Sequence, residues 1–487
     1  MTDRSQGGVT SRARSAGFAC LAALGCAAAF SGCRRDAAPA RPNVLLISID
    51  MLRPDHLGCY GHTRDTSPTI DRLAREGVRF TQHISSAPWT LPAHTAMFTA
   101  VPDSVHGVVD PIGTALAPGF TTLAERLKAA GYATGGVFAG PYLHPAFGLG
   151  QGFDSYVDRG RYLGDTPLDA QHAWSMDEAV MRASHHGVTN DGVYESAVEF
   201  LQQHAHKQPF FAFVHLWDVH FDFTPPAPYD TLFDPDYTGP ITGRDFFFDP
   251  AINAAMPARD REHLLALYDG EIRWTDEVVG RIVAELQRLG VADDTLVIVT
   301  SDHGTELFEH GGKGHRTSLY DEQLRIPLIV WFPKGLAPRV VDAQTRMIDL
   351  APTILDLVDV AAPDGWMGES LAPLARGAPL AFDNVAVSEL MSVGRELRSV
   401  RVPGAKLIVD TAHDRAAWWD LARDPGELTP LVVEGSDQGA GLQNVYARVL
   451  ARLTEAIAAR PAGPGTPALS PAVQRSLEAN GYVGSGH

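Results

Sequence analysis

The sequence predicts an α/β fold, because short apolar runs alternate with amphipathic helical segments. Val44 to Ile49 is a nearly continuous apolar run, which is typical of a strand covered on both faces. Further strands are predicted at Phe210 to Leu216, Thr295 to Thr300 and Ile326 to Trp331. The 487 residues are 45% hydrophobic and 20% charged, a composition that favours a packed protein and excludes a disordered chain.

Capping signals mark the predicted helices. Ser67-Pro68 supplies an N-cap and a first-turn proline for a helix that ends at Gly77. Thr122 and Glu125 form a capping box at the start of the next helix, which Gly131 ends.

A long amphipathic helix is predicted from about Glu271 to Leu289, just before the Thr295 strand. The segments 156–182 and 225–261 are rich in aromatic residues, Asp and Pro, and we interpret both as insertions. Insertions between sheet elements are where substrate-selecting loops usually lie.

The first 33 residues resemble an export signal. Arg12 and Arg14 precede an apolar, small-residue run from Ala16 to Phe30, which is too short for a comfortable transmembrane helix. The small pair before Cys33 resembles a bacterial lipobox, although Phe30 stands where Leu is more usual, so cleavage by the ordinary signal peptidase is the alternative. We predict a signal peptide over 1–33, a tether over 34–42, and export to the bacterial cell envelope, periplasm or outer surface, with a lipid anchor at Cys33.

Charge and cysteine count exclude two classes of protein. The chain has 40 Lys plus Arg against 58 Asp plus Glu, a formal net charge of -18, which argues against a general nucleic-acid binder. Three of the four cysteines lie within the predicted signal, so no disulfide framework holds the body together. We expect membrane contact only through the lipid anchor.

Polar residues follow three of the predicted strands. They are Asp50 after the first run, the group His215, Asp218 and His220 after the second, and Asp302-His303 after the third. In open α/β sheets, ligands bind beyond the carboxyl ends of the strands. Any one group is explained equally well by a turn, but the three together favour a site. Carboxylate oxygens with one imidazole suit a divalent cation such as Ca²⁺, Mn²⁺ or Zn²⁺.

The same regions resemble the sulfatase family of the alkaline phosphatase superfamily. The resemblance runs in order from about Pro42 to about Val433 and lies in these segments: Asn43 to Asp50, Leu52 to Gly61, Ala87 to His94, Thr300 to Gly304, Gly311 to His315, Leu319 to Pro327, Asp349 to Leu357, and Trp419 to Glu427. A lone Asp-His-Gly triplet would be weak evidence, whereas an ordered set is specific.

The resemblance implies an alkaline-phosphatase-like fold: a large mixed sheet sandwiched by helices over 43–375, then a smaller C-terminal α+β subdomain and tail over 376–487. It implies one divalent metal, usually calcium, held by Asp50, Asp302 and His303. It also implies that His220 contacts the leaving group or the transferred anion. Candidate contacts to the anion are Lys313, His315 and Arg316, and which of these three cations clamps the oxyanion is left open. Asp218 is a further candidate substrate-binding residue.

Two departures from the family pattern concern the nucleophile. Sulfatases carry Cys or Ser where Thr90 stands, and oxidise it to formylglycine; they carry Arg where His94 stands. Threonine cannot be converted to this aldehyde, so we expect no formylglycine. One interpretation is that Thr90 only caps a helix in a degenerate homologue. The other is that a coordinated cation activates its hydroxyl as the nucleophile, with Thr90 also a metal ligand and His94, His220 and His315 positioning or protonating.

A further departure is Met51, where many sulfatases carry a second Asp. One carboxylate fewer lowers the negative charge around the metal. A second ion held by Asp218, His220 and His315 is an alternative, although the Asp-x-His spacing is unlike that of two-metal relatives.

The sequence therefore predicts a metal-dependent hydrolase of an anionic sulfate or phosphate ester, with Thr90 as the nucleophile. The alternatives are a phosphodiesterase or phosphonate hydrolase, a transferase of phosphorylated head groups, and a non-catalytic binding protein with the same fold. A sulfo-threonine lacks the elimination route that formylglycine provides, so the chemistry favours phosphorus while the resemblance favours sulfate. The natural substrate, the metal and the oligomeric state are left open by the sequence.

Overall fold

An eight-stranded mixed sheet lies at the centre of the computed structural model, which describes residues 41–109, 114–160, 188–392, 395–432 and 436–461. The predicted signal peptide, the anchor at Cys33 and most of the 156–182 insertion lie outside these residues. The strands of the eight-stranded sheet are β1 (Asn43–Ile49), β2 (Val78–Ile84), β3 (Ala133–Phe138), β4 (Ser155–Asp158), β5 (Phe210–Leu216), β6 (Thr295–Ser301), β9 (Arg325–Trp331) and β10 (Arg339–Arg346). The short strands β7 (Glu306–Leu307) and β8 (Lys313–Gly314) form a separate pair.

The sheet order is β10-β2-β9-β6-β1-β5-β3-β4. Strand β1 runs parallel to both of its neighbours, β5 and β6, whereas β9 runs antiparallel to β2 and β6. Both faces are covered: Val44 and Leu46 pack in one hydrophobic cluster, while Leu45, Ile47 and Ile49 pack in the other. This is why the β1 sequence is apolar at almost every position instead of alternating.

The helices are α1 (Pro68–Glu76), α2 (Thr90–Thr99), α3 (Asp103–His106), α4 (Leu123–Ala129), α5 (Asn190–His204), α6 (Ala258–Arg288), α7 (Asp321–Leu324), α8 (Leu350–Leu357), α9 (Ala372–Ala375) and α10 (Asp437–Ala459). The capping box predicted at Thr122 is present, because its hydroxyl accepts from the Glu125 amide and the Glu125 carboxylate accepts from the Thr122 amide. Helix α1 begins at Pro68 as predicted, but Ser67 does not cap it; its hydroxyl accepts from the Gly58 amide instead.

Helix α6 begins 13 residues before the predicted start at Glu271, directly after Pro257. Gly270 lies in the interior of this helix and interrupts the amphipathic pattern from which the helix was predicted. A Cβ at Gly270 would lie 2.5 Å from the carbonyl oxygen of Tyr229, so this position requires glycine for close packing against the preceding loop. The last residues of the predicted insertion 225–261 therefore form the first turn of helix α6.

A four-stranded antiparallel sheet forms the C-terminal part, with strands β11 (Ala386–Ser392), β12 (Arg395–Val402), β13 (Ala405–Asp410) and β14 (Arg415–Asp420) in that order. Helix α10 packs on it through Leu442, beside Leu407 and Trp418. The predicted boundary between residues 375 and 376 stays a prediction. Among the described residues, no helix has the length and hydropathy needed to cross a bilayer.

A buried ionic network links this C-terminal sheet to helix α7. The Lys406 side chain is fully buried and lies 2.8 Å from the Asp321 carboxylate and 2.9 Å from that of Glu427. Arg401 adds a second cation 2.8 Å from Asp321. Burial alone would raise the pKa of Asp321, but Lys406 and Arg401 hold it well below its usual range.

Replacing Lys406 by Met should destabilise the protein by about 3–5 kcal/mol, because Glu427 would stay buried without its cation and Asp321 would keep only Arg401. Urea unfolding followed by tryptophan fluorescence measures this free energy. Lys334→Met is the control, since Lys334 pairs with Asp294 at the surface and both side chains are more than half exposed; its cost should stay below about 1 kcal/mol. Equal costs for the two substitutions would contradict a stabilising role for the buried network.

Candidate active site

The pairing of β1 with β6 brings two carboxylates together. Ile49 at the end of β1 is in register with Ser301 at the end of β6, and the strands are parallel. The next residues, Asp50 and Asp302, therefore emerge side by side at the carboxyl edge of the sheet. Both side chains are fully buried.

Thr90 is the first residue of helix α2 and lies against this pair. Its hydroxyl oxygen is 3.3 Å from Oδ2 of Asp50 and 3.3 Å from Nε2 of His303. The side chain is 1% exposed, so bulk water does not compete for these contacts. The hydroxyl thus contacts Asp50 and His303, two of the three other residues that the sequence predicted as metal ligands.

The donor set fits a divalent cation. Oδ1 of Asp50 and Oδ2 of Asp302 are buried and have no hydrogen-bond donor among the described residues, and candidate ligand atoms from Asp50, Asp302 and His303 all lie within 4.8 Å of one another. His303 donates its Nδ1–H to the Gly304 carbonyl at 2.8 Å, which leaves Nε2 as the ligating nitrogen. Burial raises the pKa of Asp50 to about 6, a cost that a bound cation would remove.

His94 is hydrogen-bonded to the segment that carries Thr90. Its Nδ1–H donates to the Thr90 carbonyl at 2.9 Å, one helical turn back, and its Nε2 accepts from the Ser48 hydroxyl at 3.0 Å. Burial lowers the pKa of His94 to about 3, so the ring is neutral at physiological pH. This geometry favours a positioning role for His94 over proton transfer to substrate.

His215 belongs to the polar group that the sequence placed at the end of the second strand, but the sequence assigned it no role. It lies near the end of β5, opposite Ser48, with Nε2 3.3 Å from Oδ2 of Asp50. Neither ring nitrogen has a hydrogen-bond partner among the described residues, the side chain is fully buried, and burial lowers its pKa to about 4. The signal in the sequence is one imidazole near the end of an otherwise apolar strand.

Three further predicted residues lie beside the carboxylate pair. The His315 ring is 4.5 Å from that of His303 and 5.2 Å from that of His220, between ring centroids. His220 stacks on Trp217 at 3.9 Å. The Arg316 guanidinium lies 4.1 Å from the ring of Trp89, the residue before Thr90. The structure therefore places His315 between the rings of His303 and His220, and Arg316 against the residue before Thr90.

Two predicted substrate contacts have other partners. The Lys313 ammonium donates to the backbone carbonyls of Phe246 at 2.5 Å and Ile252 at 2.6 Å. The Asp218 carboxylate accepts from the backbone of Thr189 and Asn190, at the start of helix α5, and from the Trp274 indole. Because both Asp218 oxygens are engaged in this way, the geometry does not favour a second metal between Asp218, His220 and His315.

Two family models match the chain. The Sulfatase model covers residues 42–360, and the model of the C-terminal region of N-sulphoglucosamine sulphohydrolase covers residues 309–457. Curated relatives include an uncharacterised sulfatase of Escherichia coli, 29% identical over 71% of this chain and 74% of that protein. The choline-sulfatase of Rhizobium meliloti is 26% identical over 80% of this chain and 82% of that protein.

Solved structures share the fold. The phosphonate monoester hydrolase of Agrobacterium radiobacter superposes with a TM-score of 0.69 at 24% identity, over 85% of this chain and 96% of that one. That of Silicibacter pomeroyi gives 0.67 at 23% identity, over 85% and 96%. The predicted architecture, a large mixed sheet flanked by helices with a smaller C-terminal sheet, is confirmed.

Adding a divalent metal to protein stripped with a chelator should raise its unfolding temperature, because the cation neutralises the negative charge of two buried carboxylates. A free metal concentration of about 100 times the Kd should raise the free energy of unfolding by about 2.7 kcal/mol. Asp302→Asn should abolish the shift, whereas Asp293→Asn, at an exposed carboxylate, should retain it. Scanning calorimetry with Ca²⁺, Mn²⁺ and Zn²⁺ in turn also ranks the metals; an unchanged shift in Asp302→Asn would place the ion elsewhere.

Proposed function

The chain belongs to the sulfatase family of sulfate and phosphate ester hydrolases, and we propose that it cleaves phosphate or phosphonate esters with Thr90 as the nucleophile. The observation that carries this proposal is the Thr90 hydroxyl, 3.3 Å from both Asp50 and His303 inside a buried donor set. A threonine that only capped a helix would not need a carboxylate and an imidazole against its hydroxyl. Trp89, and not Thr90, holds the N-cap position of helix α2.

Asp50, Asp302, His303 and the Thr90 hydroxyl would hold one divalent ion. When bound, the cation would lower the pKa of the hydroxyl so that it releases its proton and attacks as an alkoxide. The oxygen and imidazole donors suit Mn²⁺ and Zn²⁺ as well as Ca²⁺, the ion that the family resemblance implies.

Protein side chains would bind the anion and supply the proton for the leaving group. Arg316, held against Trp89, and His315 would bind the non-bridging oxygens of the anion. As the Thr90 oxygen forms its bond to phosphorus, the bond to the leaving oxygen breaks, and His220 or His315 would donate the proton which that oxygen requires. Water then attacks the phosphorus of the Thr90 adduct as the bond between phosphorus and the Thr90 oxygen breaks; one proton of the water passes to the Thr90 oxygen and the other restores the imidazole that donated in the first step.

The choice of phosphorus over sulfur follows from the residue at position 90. Family members that use formylglycine expel sulfate by elimination from the aldehyde hydrate, and threonine has no such route. Release from threonine depends on attack at the central atom, which is chemically feasible for a phosphoryl or phosphonyl ester. The likeness to two phosphonate monoester hydrolases agrees with this choice, while the curated relatives named above are sulfatases.

Purified protein should hydrolyse an aryl phosphodiester and an aryl phosphonate monoester faster than an aryl sulfate, and should lose activity on chelation. Thr90→Ala should lower kcat/KM by at least about 10³-fold, as expected when a nucleophile is removed. Thr95→Ala is the matched control, since Thr95 lies in the same helix and its hydroxyl donates to the Leu91 carbonyl. Faster turnover of the sulfate ester would refute the choice of phosphorus.

Intact mass spectrometry after a short reaction separates an enzyme from a binding protein. A phosphoryl or phosphonyl adduct that maps to Thr90 is expected in the wild type and absent from Thr90→Ala. Retained ligand binding with no adduct and no turnover, across all three ester types and the common divalent ions, would assign the chain to the non-catalytic alternative. Thr90→Cys tests whether a modifiable residue at this position restores sulfate ester cleavage.

A further inference from the structure

Two phenylalanines near the candidate active site are unusually exposed. Phe247 is 41% exposed and Phe248 is 39% exposed, within the segment that the sequence predicted as a substrate-selecting insertion. Exposed single apolar residues are common, but an aromatic ring beside a polar catalytic cluster is a candidate ligand contact.

Phe247 is connected to the candidate site through Phe221 and through the backbone of Gly314. Its ring meets that of Phe221 edge-on at 4.5 Å, and Phe221 lies 3.9 Å from His220. A Cβ at Gly314 would lie 2.3 Å from Cζ of Phe247, so this ring covers the backbone directly before His315. Phe221, Phe246 and Phe247 thus form an aromatic wall beside His220 and His315.

The wall is held rigidly from two sides. The Asp222 carboxylate accepts from the amides of Asp245 at 2.6 Å and Phe246 at 2.9 Å. Lys313 donates to the carbonyls of Phe246 and Ile252, and its ammonium lies 5.3 Å from the Phe246 ring centroid and 5.9 Å from that of Phe247. A charged side chain that anchors two carbonyls and lies over two rings fixes the position of the loop.

We propose that this wall binds the leaving group, so that the substrates are esters of aromatic or bulky apolar alcohols. The proposal rests on the proposed function. The wall borders His220 and His315, the side chains assigned to the leaving oxygen, so an organic group on that oxygen would lie against Phe247. Lys313 is then a positioning residue for the wall, in place of the anion contact that the sequence predicted.

The test compares naphthyl and trifluoroethyl esters of methylphosphonate across variants. For each ester, kcat/KM of the variant is divided by kcat/KM of the wild type, so the intrinsic reactivity of the ester cancels. Phe247→Ala should lower kcat/KM for the naphthyl ester by about 10-fold and for the trifluoroethyl ester by less than about 3-fold, as expected for loss of one aromatic contact. Leu232→Ala is the control, since Leu232 is a 46% exposed apolar residue of the same insertion, and it should change neither value.

Lys313→Met should also lower kcat/KM for the naphthyl ester more than for the trifluoroethyl ester. The double variant with Phe247→Ala should show the same change in selectivity as Phe247→Ala alone, because both side chains act through one wall. Equal losses on both esters in Lys313→Met would assign this side chain to the anion and refute its positioning role. If the wild type cleaves both esters and Phe247→Ala leaves their ratio unchanged, the leaving-group assignment fails while the proposed function stands. If the wild type cleaves neither of these esters nor the aryl phosphodiester, both proposals fail.

Discussion

Two buried carboxylates that emerge side by side are the constraint from which the rest of the site follows. Parallel register between β1 and β6 fixes Asp50 and Asp302 at one level of the sheet, and the hydrophobic clusters on both faces exclude water from them. Burial raises the pKa of Asp50 to about 6, and a bound cation would favour its ionised form. The Thr90 hydroxyl and the His303 imidazole occupy the positions where a cation would draw its remaining ligands.

The departures from the sulfatase pattern compensate one another in charge. Met51 stands where many family members carry a carboxylate, which removes one negative charge. His94 stands where they carry Arg, and because burial lowers its pKa to about 3, this ring contributes no positive charge. The net charge of the site is therefore conserved, and a threonine replaces the modifiable residue in a cluster that is still suited to one divalent ion. Such paired changes favour an altered chemistry over simple decay of the site.

The sequence predicted those features that depend on local pattern. Continuous apolar runs predict covered strands, and polar residues at the strand ends predict the grouping of Asp50 and Asp302. Side chains whose partners come from distant segments were predicted less well. Lys313 has the charge of an anion ligand, but the carbonyls it meets belong to a loop more than 60 positions away. Asp218 likewise stabilises the start of helix α5, a contact set by tertiary packing that no local pattern records.

The C-terminal sheet completes the site without supplying a predicted ligand. The Ser388 hydroxyl of β11 donates to the Ser85 carbonyl at 2.6 Å, and the Glu389 amide donates to the Ser86 carbonyl at 2.8 Å. The Ser85 hydroxyl in turn donates to the Asp302 carbonyl at 2.5 Å. The segment that leads to Thr90 is therefore held between the C-terminal sheet and the end of β6. Since the proposed role of Thr90 as nucleophile requires placement to within a fraction of an ångström, loosening β11 would misplace Thr90 relative to Asp302 even with every side chain of the donor set intact.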